Sequence, residues 1–501
     1  MNPVEPVEAR RGPKADRAWA RLIPDLDRSA VVVAFVQTWP GRLVVLAAFA
    51  ALATLHDQGR TFIVGAGLAV LWPSRRRLWV FLATAGPLLR IRLDEPLLRE
   101  VAPGELATGI LGQAWIGPAV AVTALLLAAG YVQLARSVRA GWLREHPVAS
   151  WLMLYAGSIA LVSVLPLGPT LRALAWSLVT ALDGYVWFAA YSLRDHGGRP
   201  GRGVVLEASA YRPFWGGSHT PFPKAGSALT KIEVKTPAEA SVWQLKALKL
   251  LAWALILVWL RALLLALVTG ESSLGSRWIG DLHLTVPEYP DALARSKAGA
   301  PYPFHQNWLA LFRTFAFDIL DLSIWGHVAI AGARMAGFKA LRNTYRPLAS
   351  RSLADFWNRY YFYFKELLVD FFFFPTFLRF FKSRPRVRLL FATVAAAGFG
   401  NFLYHYLGKT HLIASLGVGG ALRAMQAYGL YALLLALGIG LSQLRRKPAT
   451  PPRGGQSGLV KATTLAGVLG FYCLLEIPGL APPGTTLGEC WQFVRDLTPL
   501  H

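Results

Sequence analysis

The residues best placed to do chemistry in this sequence are polar groups set inside apolar text. Between positions 321 and 375 the chain reads DLSIWGHVAIAGARMAGFKALRNTYRPLASRSLADFWNRYYFYFKELLVDFFFFP, and a later apolar stretch, GFGNFLYHYL, carries His405 with Asn401 four residues before it. Polar side chains at membrane depth are costly, so they line a cavity or a protein interior where partners can be found. The neutral imidazole of a histidine accepts a proton near neutral pH, which suits general acid–base catalysis. A spacing of four puts Asn401 on the same helical face as His405, close enough to orient the ring. Other chemistries have no foothold. There is no phosphate-binding glycine loop, no GxSxG elbow and no HExxH helix. The two cysteines, Cys473 and Cys490, are too few for a zinc site or a disulfide framework. His283, His305 and His411 have no metal-ligand spacing, so no metal and no cofactor is expected.

The elements that must position these groups are membrane helices. Hydrophobic residues make up 54% of the 501 positions and charged residues only 16%, and the apolar residues are gathered into blocks. Several blocks, such as 30–55, 116–134 and 243–268, reach the roughly 20 residues a helix needs to cross the bilayer. Hydropathy places spans near 30–55, 61–92, 107–135, 149–168, 171–192, 243–268, 309–337, 360–381, 389–407, 411–442 and 459–476. The expected fold is an all-α, polytopic integral membrane protein of ten to twelve membrane segments. In this reading 1–29 is a polar tail, 30–194 an N-terminal group of transmembrane helices and 243–446 the core, with 459–501 a final helix and tail. Segments 195–242 and 271–306, rich in Gly, Pro and charge, read as loops outside the bilayer, and 447–458 (KPATPPRGGQSG) as a linker.

The net charge of +24 is spread between the apolar blocks, as in Arg75-Arg76-Arg77, the arginines of 384–388 and Arg445-Arg446-Lys447. That distribution fits topology and contact with lipid headgroups, and not a nucleic-acid partner. Arg10, Arg11, Lys14 and Arg17 precede the first span, so the first helix is expected to insert with the N-terminus in the cytoplasm. No internal repeat is visible, which weighs against a transporter of inverted halves.

The 321–375 segment resembles the core of the membrane-bound O-acyltransferase (MBOAT) family, most closely the branches that acetylate polysaccharides such as alginate and that alanylate teichoic acid. The family pattern D-F-S…A-I-G-x-A-R-x-x-G-F, then N, P and S, then D-F-W-x-R-W-H and D-Y-x-Y-x-P finds its counterparts here. They are Asp321, Ser323, Ala329, Ile330, Ala333, Arg334, Gly337, Phe338, Asn343, Pro347, Ser352, Asp355, Phe356, Trp357, Arg359, Asp370 and Pro375. The resemblance covers about 305–440, and the family's catalytic histidine, in the next apolar helix, corresponds to His405. The departures are specific. Tyr361 stands where the family has its first histidine, Tyr360 replaces the preceding tryptophan, and Trp325-Gly326-His327 replaces Tyr-Ser-Asp.

The resemblance implies transfer of an acyl group, acetyl included, from a thioester donor such as acyl coenzyme A to a hydroxyl of a polysaccharide or lipid. His405 would be the general base. Asn358 or Tyr361 would position the acyl carbonyl or the hydroxyl, and Asn401 would orient the ring. Arg359 would meet a phosphate of the donor, with Trp357, Asp355, Arg334 and His327 also on the substrate side. A bacterial cytoplasmic (inner) membrane and an extracytoplasmic partner protein go with that branch. The residues admit blander roles as well. Asn358, Tyr361 and Asn401 could bond helix to helix, Asp355 and Asp370 could cap helices or pair with arginines, and Arg334 could pair with Asp321. The run Phe371–Phe374 reads as lipid-facing or interfacial packing. The alternative from another class is a non-catalytic or transport protein, a passage for lipid or acyl chains in which Tyr361 marks lost chemistry.

Overall fold

In the computed structural model the described residues are 22–56, 59–88, 91, 93–102, 110–137, 141–195, 213–216, 225–269, 284–445 and 458–499. Among them the chain is helical, and the one β feature is an isolated antiparallel bridge between Glu233 and Phe338. Seven helices are long and apolar enough to cross a bilayer: Ile116–Ala135, Pro147–Val164, Pro237–Thr269, Phe304–Met335, Pro385–Leu407, Gln426–Leu444 and Gly458–Gly479. Two bent pairs, Ala30–Gln37 with Trp39–Leu55 and Pro169–Asp183 with Val186–Arg194, raise the number to nine if each is one span. Large apolar side chains lie bare on the outside, Val31 at 80% and Val164 at 82% exposure, as lipid contact requires and water does not favour. This is an all-α polytopic integral membrane protein.

The described residues thus hold seven to nine candidate spans where hydropathy counts ten to twelve. Apolar blocks continue through places where the backbone cannot. The 30–55 block turns by 98° at Thr38, whose side chain caps the second helix at Gly41 N, with Pro40 in its first turn. The 61–92 block is Arg60–Leu71, only 12 residues, followed by a separate helix Arg76–Leu88. The 411–442 block breaks at Met425 into Thr410–Ala424 and Gln426–Leu444. The Pro237–Thr269 helix starts six residues before the expected core boundary at 243. Residues 1–21 of the tail, 196–212 and 217–224 of the first loop, 270–283, and 446–457, which takes in Arg446, Lys447 and nearly all of the linker, lie outside the described residues.

Two hydrophobic clusters fill the interior. The larger gathers the helices between 116 and 194 with those between 353 and 439 and the two C-terminal helices, while the smaller joins the first four helices to Pro237–Thr269. Phe304–Met335 runs through both, contributing Ala310, Leu311 and Phe315 to the larger and Val328 to Met335 to the smaller. It also packs along the length of Pro237–Thr269. The long helix is therefore the axis that ties the halves together.

Next to it the chain is irregular. Helices Leu353–Tyr360 and Phe362–Leu368 meet at Tyr361, whose backbone (φ −138°, ψ 70°) leaves the helical region. The segment 343–345 splints that break. Asn343 O accepts from Phe362 N at 3.0 Å, Asn343 Oδ1 accepts from Tyr363 N at 3.3 Å, and Thr344 Oγ1 donates to Tyr360 O at 2.8 Å. Two π-helical stretches follow, Val369–Phe373 and Val394–Gly400, the second leading directly into Asn401–Leu407. Such insertions re-aim side chains and cluster at functional sites. The two π stretches touch: a Cβ on Gly400 would lie 2.6 Å from Phe372 Cδ2, inside a buried ring that has nowhere to go. Valine at Gly400 is expected to cost about 1–3 kcal/mol through overpacking, read as a lower unfolding temperature of the purified protein. An unchanged temperature would contradict this packing.

Candidate functional site

The site has an aromatic floor. Phe356, fully buried, lies between Tyr472 at 4.1 Å and Phe315 at 6.2 Å, ring centroid to centroid, so that three different helices meet on one stack. One helical turn beyond each of these rings stands a polar side chain: Asp318 after Phe315, Tyr360 after Phe356, and Glu476 after Tyr472. Those three lie within charge range of one another. Tyr431 joins them from the Gln426–Leu444 helix, its ring seated on Gly479, where a Cβ would be 2.9 Å away. The Tyr472 hydroxyl is committed below, to Leu353 O at 2.8 Å.

The histidine adjoins this chamber. His405 packs against Tyr428 at 4.8 Å, Tyr404 at 5.2 Å and Phe364 at 5.8 Å, and Tyr361 rests on the same Phe364 ring at 5.2 Å. Tyr428 is 5.0 Å from Tyr431, which closes the circuit back to Glu476. Asn401 is fully buried and its Oδ1 accepts from the Tyr428 hydroxyl at 3.3 Å. Its amide also pairs with the Tyr431 hydroxyl, so the partners of Asn401 are two tyrosines and not the His405 ring that the four-residue spacing anticipates. Tyr360, Tyr361, Tyr428, Tyr431, His405, Asp318 and Glu476 are all half-buried, keeping surface open although helices enclose them.

The remaining sequence-derived residues fall into three places. Asn358 is half-buried in the last turn before Tyr361, and Trp357 is buried with its ring 6.2 Å from Phe364, so both border the site. Asp355 and Arg359 face each other at 3.0 Å, and Asp355 also accepts from Arg351 N while its own N–H bonds the Ser352 cap. They brace the helix start. Arg334 is at the far end of the long helix, sixteen residues or about 24 Å from Asp318 at 1.5 Å per residue. There it donates to Ala340 O at 2.8 Å and lies 4.9 Å from the Trp243 ring centre. The thirteen residues separating it from Asp321 span about 20 Å of straight helix, and Asp321 pairs instead with Arg261 at 2.5 Å. His327 belongs to that distal group too, with Nδ1 2.5 Å from Ser323 O and Arg342 and Arg334 in charge range. The structure does not bring Arg334 or His327 to His405.

Asp370 accepts from the Tyr191 hydroxyl at 3.1 Å, and its carbonyl accepts from Arg194 at 2.6 Å. The FFFF run divides: Phe371 and Phe372 pack inward on Tyr191 and Trp187, while Phe374 is 43% exposed. A full helical turn cannot present one face, so half of the run is interior. A separate groove of about 530 Å³, lined by Trp115, Ile116, Val120, Leu171 and Leu174 among others, is apolar and holds no titratable side chain.

Sequence reasoning passed over Asp318, Glu476, Tyr428 and Tyr431. The signal for the two acids was present, Glu476 as the single carboxylate of its apolar span and Asp318 as one of two, with Asp321, in its helix, which is a functional-site signature in its own right. The tyrosines gave none, because they read as ordinary membrane aromatics. Among the described residues no three or more His, Cys, Asp or Glu side chains are grouped as a metal site requires, and both cysteines are free and buried. No protein-family model and no curated protein matches the chain.

Proposed function

We propose that this protein is a membrane O-acyltransferase that moves an acyl group from a thioester to a hydroxyl inside the bilayer, with His405 as general base. One observation carries the reading: His405 and Tyr361 meet on the Phe364 ring, beside the buried Asn401 and the tyrosines Tyr428 and Tyr431, a polar group within an otherwise apolar helical body. In the reaction the neutral imidazole accepts the acceptor's proton as its oxygen bonds to the acyl carbon. The Asn401 amide is the N–H donor beside His405 for the developing oxyanion. Collapse breaks the carbon–sulfur bond, and the thiolate takes the proton back from the imidazolium, leaving an ester and a free thiol.

The donor in this reading is acetyl or longer acyl coenzyme A, or another acyl thioester, and the acceptor a polysaccharide or lipid hydroxyl. A bacterial inner membrane with a cytoplasmic N-terminus, and an extracytoplasmic protein that presents the acceptor, complete it. A passage for lipid or acyl chains is the second reading, favoured by Tyr361 standing where the resembled family has histidine. Purified protein in nanodiscs, given radiolabelled acetyl and longer acyl coenzyme A with polysaccharide and lipid acceptors, separates the two. Label on an acceptor, or hydrolysis of the donor, supports the enzyme. Folded protein that binds the donor and turns nothing over supports the passage. Phenylalanine at Tyr361 is expected to keep turnover within about tenfold, since its hydroxyl is not the base and general acid–base groups are worth more than that. A loss as deep as that of a His405 variant would move the base to Tyr361.

A further inference from the structure

The arginine clusters of the sequence meet different fates. Arg76 and Arg77 are held by Glu233 at 3.1 and 2.8 Å. The turn between helices Phe374–Arg379 and Pro385–Thr393 is the opposite case. It exposes Arg379, Lys382, Arg384 and Arg386, and among the described residues none of the four has an ion-pair partner. The sequence around them offers none, since it holds no Asp or Glu between Asp370 and Glu476. Exposed Arg445 ends the neighbouring helix on the same side, fixed there by the antiparallel contacts of Thr393 with Gln443 and of Leu390 with Gly440.

Bare apolar surface is interleaved with these charges. Leu378 is 60% exposed, Phe380 51%, Phe381 44% and Phe391 42%, and the Phe391 ring stands edge-on to Phe380 at 5.6 Å and to Phe381 at 5.1 Å. The turn is held in this form. Phe381 has φ 51°, a region that a bulky residue rarely occupies, and its carbonyl accepts from Arg384 N at 3.0 Å. Arg388 donates to Phe377 O and lies 4.0 Å from the centre of that ring. A soluble anion would neutralise the cations and leave three rings in water. The headgroup layer satisfies both, because the turn stands where the span Pro385–Leu407 begins, at the level of phosphates, with hydrocarbon just inside.

We infer that this turn is a docking surface for anionic phospholipids, whose phosphates meet Arg379, Lys382, Arg384 and Arg386 while the rings of Phe380, Phe381 and Phe391 enter the edge of the hydrocarbon. The inference does not rest on acyl transfer. The turn lies between the two π-helical stretches, whose contact at Phe372 and Gly400 precedes the His405 helix. Lipid bound here therefore stabilises the native fold, as any ligand specific to that state does.

The test titrates the full chain, in a neutral detergent, with dioctanoyl phosphatidylglycerol and dioctanoyl phosphatidylcholine, reading heat and unfolding temperature. The anionic lipid is expected to bind saturably, about tenfold more tightly or better than the zwitterionic one, and to raise the unfolding temperature further. Lys382→Gln combined with Arg384→Gln is expected to weaken it about tenfold or more. Lys297→Gln, which removes a cation paired with Glu489, is expected to leave it unchanged. If the double variant does not fold, Arg386→Gln replaces it, with a loss of about fivefold expected. Equal binding of the two lipids, or anionic-lipid binding untouched by the substitutions in the turn, would overturn the surface. Coenzyme A, a soluble polyanion without a lipid tail, is the contrasting probe. Displacement of the lipid by coenzyme A, with that binding lost in the same variants, would assign the turn to a soluble anion and also overturn it.

Discussion

Alanine at His405 is expected to lower acyl transfer by about 10²–10⁴-fold, the usual worth of a positioned general base. The loss should fall on kcat, with the donor's KM little changed, because the imidazole acts as the hydroxyl attacks and not in holding the thioester. Its surroundings support a clean experiment. The ring is half-buried and touches Phe364, Tyr404 and Tyr428, all of which have further partners of their own, so the helix Asn401–Leu407 has other anchors. Glutamine at the same place, polar but unable to act as a base, is expected to lose as much as alanine. Recovery of activity by glutamine would show that the ring only positions, and the base would have to be sought among the neighbouring polar side chains.

The second large effect is on stability. Alanine at Phe356 is expected to cost about 3–5 kcal/mol, the range for a fully buried phenylalanine, read as a drop in the unfolding temperature of the purified protein. The ring is the middle layer of a three-helix stack, against Phe315 on one side and Tyr472 on the other, and its removal leaves a hole that neither neighbour can fill alone. Leucine should lie between wild type and alanine. An unfolding temperature equal to wild type would mean that the stack does not support the site.

Much of this was legible from residue types alone. The apolar blocks and their polar breaks announce an all-α membrane protein, and the text around Trp357 and His405 singles out a region where polar side chains gather. Other features were hidden for physical reasons. The 98° bend at Thr38 and the division at Met425 occur inside uniformly apolar text, where hydropathy has no contrast to register. Arg334 and His327 belong to the same sequence segment as Tyr361, yet a straight helix rises 1.5 Å per residue and carries them away from His405. Asp318 and Glu476 are 158 positions apart, and only the packing of Phe304–Met335 against Gly458–Gly479 makes them neighbours. Tyr428 and Tyr431 acquire meaning from what lies opposite, which no local pattern contains.

The most direct test of the central claim follows a labelled acyl thioester in nanodiscs holding either the wild-type chain or His405→Ala, with donor binding and unfolding temperature measured on the same samples. The account predicts that both proteins fold and bind donor, and that only the wild type releases thiol and passes label to a hydroxyl acceptor. Equal turnover by the two proteins, or none by a folded, donor-binding wild type with every acceptor supplied, would contradict it.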